Sequence, residues 1–220
     1  MTKPAAAAQP PAPPQLAASL AALADPELED ELEWSDVDVS GVISGAHEVR
    51  DGDINGCRLT GLNLSGRVLH RFRLTDCVLV GCDLSGATFI DCSLNRVRIE
   101  SSRLTGAVLS GLRAQDVVIE ASRADQLVVR MSTWKRAGFI NTDLRELDGY
   151  DADFTDAVFD GCELTSADFS AAKLTGARLH GSNVQGMRGG DALRGVRIAA
   201  DQVLPLALGI FAALDITVDD

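Results

Sequence analysis

From Ile54 to Val184 the chain places an apolar side chain at every fifth position. The series begins Ile54, Leu59, Leu64, Leu69, Leu74, Leu79, Leu84, Phe89, and 24 of its 27 members are large and apolar; the exceptions are Ala114, Ala124 and Gly149. A second series lies two residues earlier, and 21 of its 27 members are Gly, Ala, Ser, Thr, Cys or Val. Ser or Thr often follows the apolar centre, with Gly next, as in Leu64-Ser65-Gly66 and Leu174-Thr175-Gly176. Five residues rotate an α-helix by about 500°, so successive centres would point about 140° apart and share no face. In a straight strand five steps reverse the face. Both series stay inside only if the chain turns a corner in every repeat. The inward pair at spacing two predicts a short extended stretch, and the outward Ser/Thr-Gly pair predicts the turn. The pattern is that of a solenoid.

The repeat resembles the pentapeptide-repeat family, whose motif is a small residue, Asp or Asn, Leu, Ser or Thr, then Gly or any residue. Cys82-Asp83-Leu84-Ser85-Gly86, Ala152-Asp153-Phe154-Thr155 and Ala167-Asp168-Phe169-Ser170 carry the resemblance, which spans residues 34–198. It implies an all-β fold, a right-handed quadrilateral β-helix with four repeats per coil, closed by a C-terminal α-helical cap. Residues 20 apart should then stack. One interior column would read Ile54, Leu74, Leu94, Ala114, Trp134, Phe154, Leu174, with small Ala114 beside large Trp134 as close packing requires. Another would stack Phe139 on Phe159. An outer column would read Asp83, Arg103, Arg123, Asp143, Glu163. Arg67, at an inward small position, and Gly149, at a centre, break the pattern and mark candidate bulges.

The ends depart from the repeat. Residues 1–14 hold five of the seven prolines and read as a disordered Pro/Ala tail. The apolar stretch 16–24 leaves a secretory signal open as an alternative, although a proline tract with Lys3 as its one cation makes a poor n-region. Residues 15–33 are expected to form a helical cap, with Asp25 as N-cap and Pro26 at the first helical position. The register slips near Gly189-Gly190-Asp191. Residues 199–220 then predict a helix from about Asp201 to Leu214, with a kink at Pro205, and a short strand after it. Twelve of the 16 residues in 203–218 are apolar. A helix so apolar needs cover on more than one side. A two-fold partner meeting Leu204, Leu206, Leu208, Ile210, Phe211 and Leu214 would supply it; an intramolecular cap with a modest exposed patch is the alternative.

Candidate chemistry is absorbed by the repeat. Cys57, Cys77, Cys82, Cys92 and Cys162 all fall at the inward small position, where thiols act as small apolar fillers. No second ligand type converges on them, so neither a metal site nor a cofactor is expected, and reduced thiols suit the cytoplasm. His47, His70 and His180 are widely spaced and read as exposed loop residues. The Ser and Thr residues belong to turns, and no phosphate or dinucleotide fingerprint appears. Hexapeptide acyltransferases are β-helices too, but their period is six. No catalytic residue is expected, and the chain reads as a non-enzyme.

Net charge is −12, from 20 basic and 32 acidic residues, which disfavours direct nucleic-acid binding. No apolar run approaches the ~20 residues of a membrane span. Residues 54–130 are rich in arginine, whereas 143–168 hold Asp143, Glu146, Asp148, Asp151, Asp153, Asp156, Asp160, Glu163 and Asp168 against Arg145 alone. These nine acids form the candidate interaction surface. With the acidic balance and the apolar C-terminal helix, the chain is similar to the bacterial pentapeptide-repeat branch that protects DNA gyrase from fluoroquinolones and toxins. That resemblance implies a head-to-head homodimer and DNA mimicry toward a type II topoisomerase. The arginines of 54–130 interrupt a continuous acidic track, so a structural or interaction scaffold with another protein partner stays open.

Overall fold

The computed structural model describes residues 9–214 and residue 216. The apolar series lines the inside of a parallel β-solenoid, in which each coil sits one repeat of 20 residues above the last. Leu74 pairs with Leu94, Leu94 with Ala114, and Ala114 with Trp134. Phe139 pairs with Phe159 in the same way. Three eight-residue strands, Arg73–Val80, Ser93–Glu100 and Arg113–Glu120, run along two adjacent sides and through the corner between them. Another side is a three-stranded sheet of Glu48–Arg50, Val68–His70 and Thr88–Ile90, and the remaining side is a ladder of single bridges from Asn63 to Asn183.

The corners explain the period. Every fifth residue adopts the left-handed conformation, from Gly56 (φ 66°) through Asp76 (φ 53°), Arg96 (φ 50°), Asp116 (φ 55°) and Arg136 (φ 49°) to Gly176 (φ 78°) on one edge alone. Glycine takes this region freely, and Asp and Asn more readily than most. At many corners the N–H reaches the carbonyl one coil up, as Gly56 does to Thr75 at 3.0 Å and Gly61 to Val80 at 2.9 Å. Interior side chains fill what the turns enclose. All five cysteines are buried and unpaired.

Both breaks in the pattern turn out to be packing solutions, not bulges. A Cβ at Gly149 would lie 3.3 Å from Phe154 and from Phe169, so glycine makes room for two rings within a regular coil. Its own N–H still bonds Asp168 at 2.8 Å, and residues 122–150 keep their bridges throughout. Arg67 is half-buried and donates to the carbonyls of Gly45, at 3.1 Å, and of Ala46. Those carbonyls lie at the end of the short strand Ser44–Gly45 in the second coil, and the guanidinium supplies them with donors.

The N-terminal expectation is corrected. Residues 15–33 contain no helix; strands Ala21–Leu23, Glu27–Leu28 and Glu33–Ser35 build the first coil instead. Asp25, expected as an N-cap, is a left-handed corner with φ 50°. The sequence hides this coil because its registers are short: Ala21 faces Val37 and Glu27 faces Ser44, 16 and 17 residues apart. Trp34 already stands above Ile54 in the 20-residue register. Exposed Glu27, Glu29, Asp30 and Glu31 rim this open end, where charge discourages strand addition by another chain. The tail expected over 1–14 is corrected in part: residues 9–14 lie against the solenoid, where the Ala12 N–H bonds Asp116, and residues 1–8 fall outside the described residues.

At the other end the slip is real. Gly190–Leu193 forms a 3-10 turn, after which Arg197 meets Arg178 at a spacing of 19. A second turn, Ala200–Gln202, leads into the helix Val203–Ala213. Pro205 lies in the first helical turn, where an N–H has no partner to lose, so the expected kink has no cause. The short strand expected near the C-terminus lies almost wholly outside the described residues.

Candidate interaction surfaces

The terminal helix closes the solenoid with few residues. Gln202 is buried and continues an inward column; its Nε2 donates to the carbonyls of Leu179 and Ser182, at 2.5 and 2.6 Å, which no further coil would pair. Leu206 is buried and Ile210 half-buried against the core. Close approach requires glycine on both partners: a Cβ at Gly209 would stand 2.7 Å from the Met187 carbonyl, and one at Gly190 would stand 2.8 Å from that of Gly209. Among the described residues, none covers the far side of the helix. Leu204 is 81% exposed and Leu214 62%, with Val203, Phe211 and Ile216 also exposed. Of the six residues assigned to a dimer contact, Leu204, Phe211 and Leu214 therefore face outward. Leu206 and Ile210 serve the intramolecular cap, and the side chain of Leu208 lies outside the described residues.

The nine acids are not brought onto one face. Asp143 and Glu163 sit on one side of the coil, Asp148 and Asp168 on the next, Asp153 on the third and Asp160 on the fourth. Glu146, Asp151 and Asp156 occupy corners, with φ of 56°, 53° and 61°. They girdle the rod. Several are also engaged. Arg145 Nε donates to Asp143 at 2.9 Å and Arg130 Nε to Asp148 at 2.7 Å, while Arg188 stands 3.0 Å from Asp168 and Lys173 3.8 Å from Asp153. The Arg145 guanidinium holds the Asp143 carboxyl below the usual carboxylate range.

The outer column Asp83 to Glu163 is less adverse than its sequence suggested. Arg123 turns sideways to Asp125 at 2.8 Å instead of confronting Arg103, and Asp143 is met by Arg145. The arginine-rich middle is threaded with carboxylates in the same manner, as in Arg71 on Asp51 at 2.6 Å and Arg73 on Asp53 at 2.8 Å. One corner carries a series of alternating charge outside the apolar repeat: Asp76, Arg96, Asp116, Arg136. Arg96 Nε donates to Asp76 and Arg136 Nε to Asp116, each at 2.6 Å, and both carboxylates are buried. Each pairing pushes its carboxyl pKa down. Alternation of sign at spacing 20 was the signal available for it.

The groups with reactive chemistry are sequestered or apart. Burial pushes the Cys77 thiol up to about 12 and those of Cys92 and Cys162 up to about 11. His47 and His180 are exposed as expected, but His70 is half-buried beside Glu48, 2.9 Å away. Among the described residues no three His, Cys, Asp or Glu side chains converge as metal ligands. No described helix is long and apolar enough to cross a membrane.

Comparison with known proteins agrees with this architecture. The family of pentapeptide repeats matches residues 73–111 and 150–186, in 8 copies. No curated protein sequence matches the chain. Among solved structures it is similar to a trypsin-treated variant of QnrB1, a plasmid-mediated fluoroquinolone resistance protein. The TM-score is 0.62 and the identity 18%, over 89% of this chain and 98% of the other. HetL, a pentapeptide repeat protein involved in heterocyst differentiation regulation from the cyanobacterium Nostoc sp. strain PCC 7120, is also 18% identical. It covers 76% of this chain and 87% of its own length, with a TM-score of 0.36. At 18% identity the likeness to the QnrB1 variant is one of fold.

Proposed function

We propose that this chain, which belongs to the pentapeptide-repeat proteins, is a non-enzymatic binding protein that acts as a homodimer joined through its terminal helices. One observation carries the reading: the outer side of the helix Val203–Ala213 presents Val203, Leu204 and Phe211, with Leu214 and Ile216 beyond it, none of which the cap requires. The core is already sealed by Gln202, Leu206 and Ile210. A contiguous apolar row on an otherwise charged rod is the mark of a contact surface. A two-fold axis through it would cover both copies at once and leave the charged sides of each solenoid for a partner protein. Unpaired, buried thiols suit a reducing compartment, so the proposed setting is cytoplasmic.

Light scattering on the purified chain at micromolar concentration tests the dimer. The expected mass is twice that of the chain, falling to one copy in Leu204→Glu/Phe211→Glu. A monomeric wild type would overturn it.

DNA mimicry toward gyrase is the narrower reading. It draws on the net charge of −12 and on a fold shared with a fluoroquinolone resistance protein. Mimicry requires a carboxylate track along one face, whereas here the acids encircle the coil and several are neutralised by arginine. The surface therefore favours a scaffold with another protein partner. Gyrase supercoiling assays with and without a quinolone separate the two. Neither inhibition nor protection is expected at tens of micromolar, and either effect would restore the topoisomerase reading.

A further inference from the structure

The Pro/Ala segment at the N-terminus is docked, and its docking has a register. Gln9-Pro10-Pro11-Ala12-Pro13-Pro14-Gln15 keeps a backbone N–H only at every third residue. The Ala12 N–H donates to Asp116 Oδ1 at 3.0 Å, and the Gln15 N–H donates to Asp76 Oδ1 at 2.8 Å. These aspartates are the two buried carboxylates of the alternating corner, each also held by an arginine one coil away. Pro11 and Pro14 are half-buried while Pro10, Ala12, Pro13 and Gln15 are exposed, so every third side chain turns inward. Pro11 lies over Gly138 on the adjoining side. Gln9 reaches the groove beside Asp153 and Asp156.

Two independent spacings coincide. A polyproline II helix has three residues per turn and rises about 9.3 Å in that turn. Two stacked coils span roughly 9.4–9.8 Å. Asp76 and Asp116 are two coils apart, and Arg96 and Arg136 fill the alternate levels. A carboxylate therefore meets the free N–H of Ala12 and that of Gln15, and the intervening Pro13 and Pro14, which have no N–H, ask for no acceptor. Proline also restricts the segment before docking, which lowers the ordering cost. Asp36 and Asp156 continue the column and are exposed.

We propose that the corner column Asp76–Arg96–Asp116–Arg136 is a docking track for polyproline II segments of x-Pro-Pro register, occupied in this chain by its own residues 9–15. The carboxylates select free N–H groups at one-turn spacing, and the arginines hold those carboxylates in place. The tethered segment acts as a strap along the corner, and a proline-rich peptide of the same register is the ligand the track accepts once the strap is released.

Amide exchange on the full-length chain tests the strap. Ala12 and Gln15 should exchange on the order of tenfold more slowly than in a free peptide of residues 7–17. In Asp76→Gly/Asp116→Gly both should reach the free-peptide rate while Val78 and Val118 stay protected. Glycine suits these corners, since Gly56 and Gly176 hold the same column at φ 66° and 78°. Free-peptide rates at Ala12 and Gln15 in the wild type, or protection that survives loss of both aspartates, would overturn the proposal.

Binding tests the track. Ala12→Pro/Gln15→Pro keeps the polyproline conformation but removes both donors. A fluorescent peptide of residues 7–17 should bind this variant saturably and should not bind when Asp76→Gly/Asp116→Gly is added. The wild type should resist the peptide, because its own strap competes at an effective concentration of about millimolar. Binding that ignores the aspartates, or none to the strap-released variant up to about millimolar peptide, counts against the track.

Discussion

Phe139 and Phe159 stack across one coil with 4.9 Å between ring centroids and 4° between ring planes. They anchor an aromatic interior in which Phe154 meets Phe159 edge-on at 5.5 Å and Phe169 at 5.7 Å. Both stacked rings are fully buried. Phe159→Ala should cost about 3–5 kcal/mol, because the rigid coils above and below cannot collapse into the cavity. Phe159→Leu should cost less than half as much. Urea unfolding midpoints at constant slope check both.

Trp134 packs on this cluster, 5.3 Å from Phe139 between ring centroids, and its Nε1–H bonds Ser132 Oγ at 2.8 Å, both residues being buried. Ser132→Ala strands that donor and should destabilise by about 1–3 kcal/mol. Adding Trp134→Phe removes the donor, so the pair should be non-additive. A double-mutant cycle in urea reads the coupling.

Met131 occupies a left-handed corner at φ 55° and is 61% exposed. Met131→Gly should raise stability by about 1 kcal/mol, since the strain of a Cβ there is relieved and little buried area is lost. A rise in the thermal midpoint is the expected reading, and an unchanged or lower midpoint argues against corner strain.

The cysteines should be silent in the native state. Burial raises all five thiol pKa values, that of Cys77 to about 12. A group whose pKa is raised on folding holds its proton more tightly, so this stabilisation is lost as pH climbs above the ordinary thiol value of 9.0. Ellman's reagent at pH 8 should find no rapidly reacting thiol in the folded chain and five after denaturation.

Acid should act through the corner pairs. Arg96 and Arg136 depress the carboxyl pKa values of Asp76 and Asp116 below the ordinary 3.8. The unfolded chain then binds more protons near that value. Stability from these pairs is complete above the unfolded carboxylate pKa and is lost as pH falls through the folded one. The urea midpoint of the wild type should be flat down to about pH 5 and drop below pH 4. Asp76→Gly/Asp116→Gly should lessen that drop, leaving the part due to other depressed carboxylates such as Asp143.

Legibility in the sequence followed the range of the determining contacts. Ala114 against Trp134 and Phe139 on Phe159 were readable, because period and coil length fix which residues meet. The outward-facing members of the terminal helix were partly readable: an apolar run is visible, but Leu206 and Leu204 differ only in which side meets the last coil. The acidic set 143–168 looked like a surface because the residues are close in sequence. In a square coil, closeness in sequence spreads residues over four sides.

What the sequence determined alone is the local rule: two inward side chains and one left-handed corner in every five residues. That rule is enough to place the core, the thiols and the turn glycines, since each depends on neighbours a few residues away and on identical coils above and below. The tertiary structure decided the first coil, the girdle of charge and the docking of residues 9–15 on Asp76 and Asp116. Those depend on short registers of 16 and 17 residues and on contacts 61 and 104 residues apart. No local periodicity encodes a distance of that kind; it exists only once the coils have stacked.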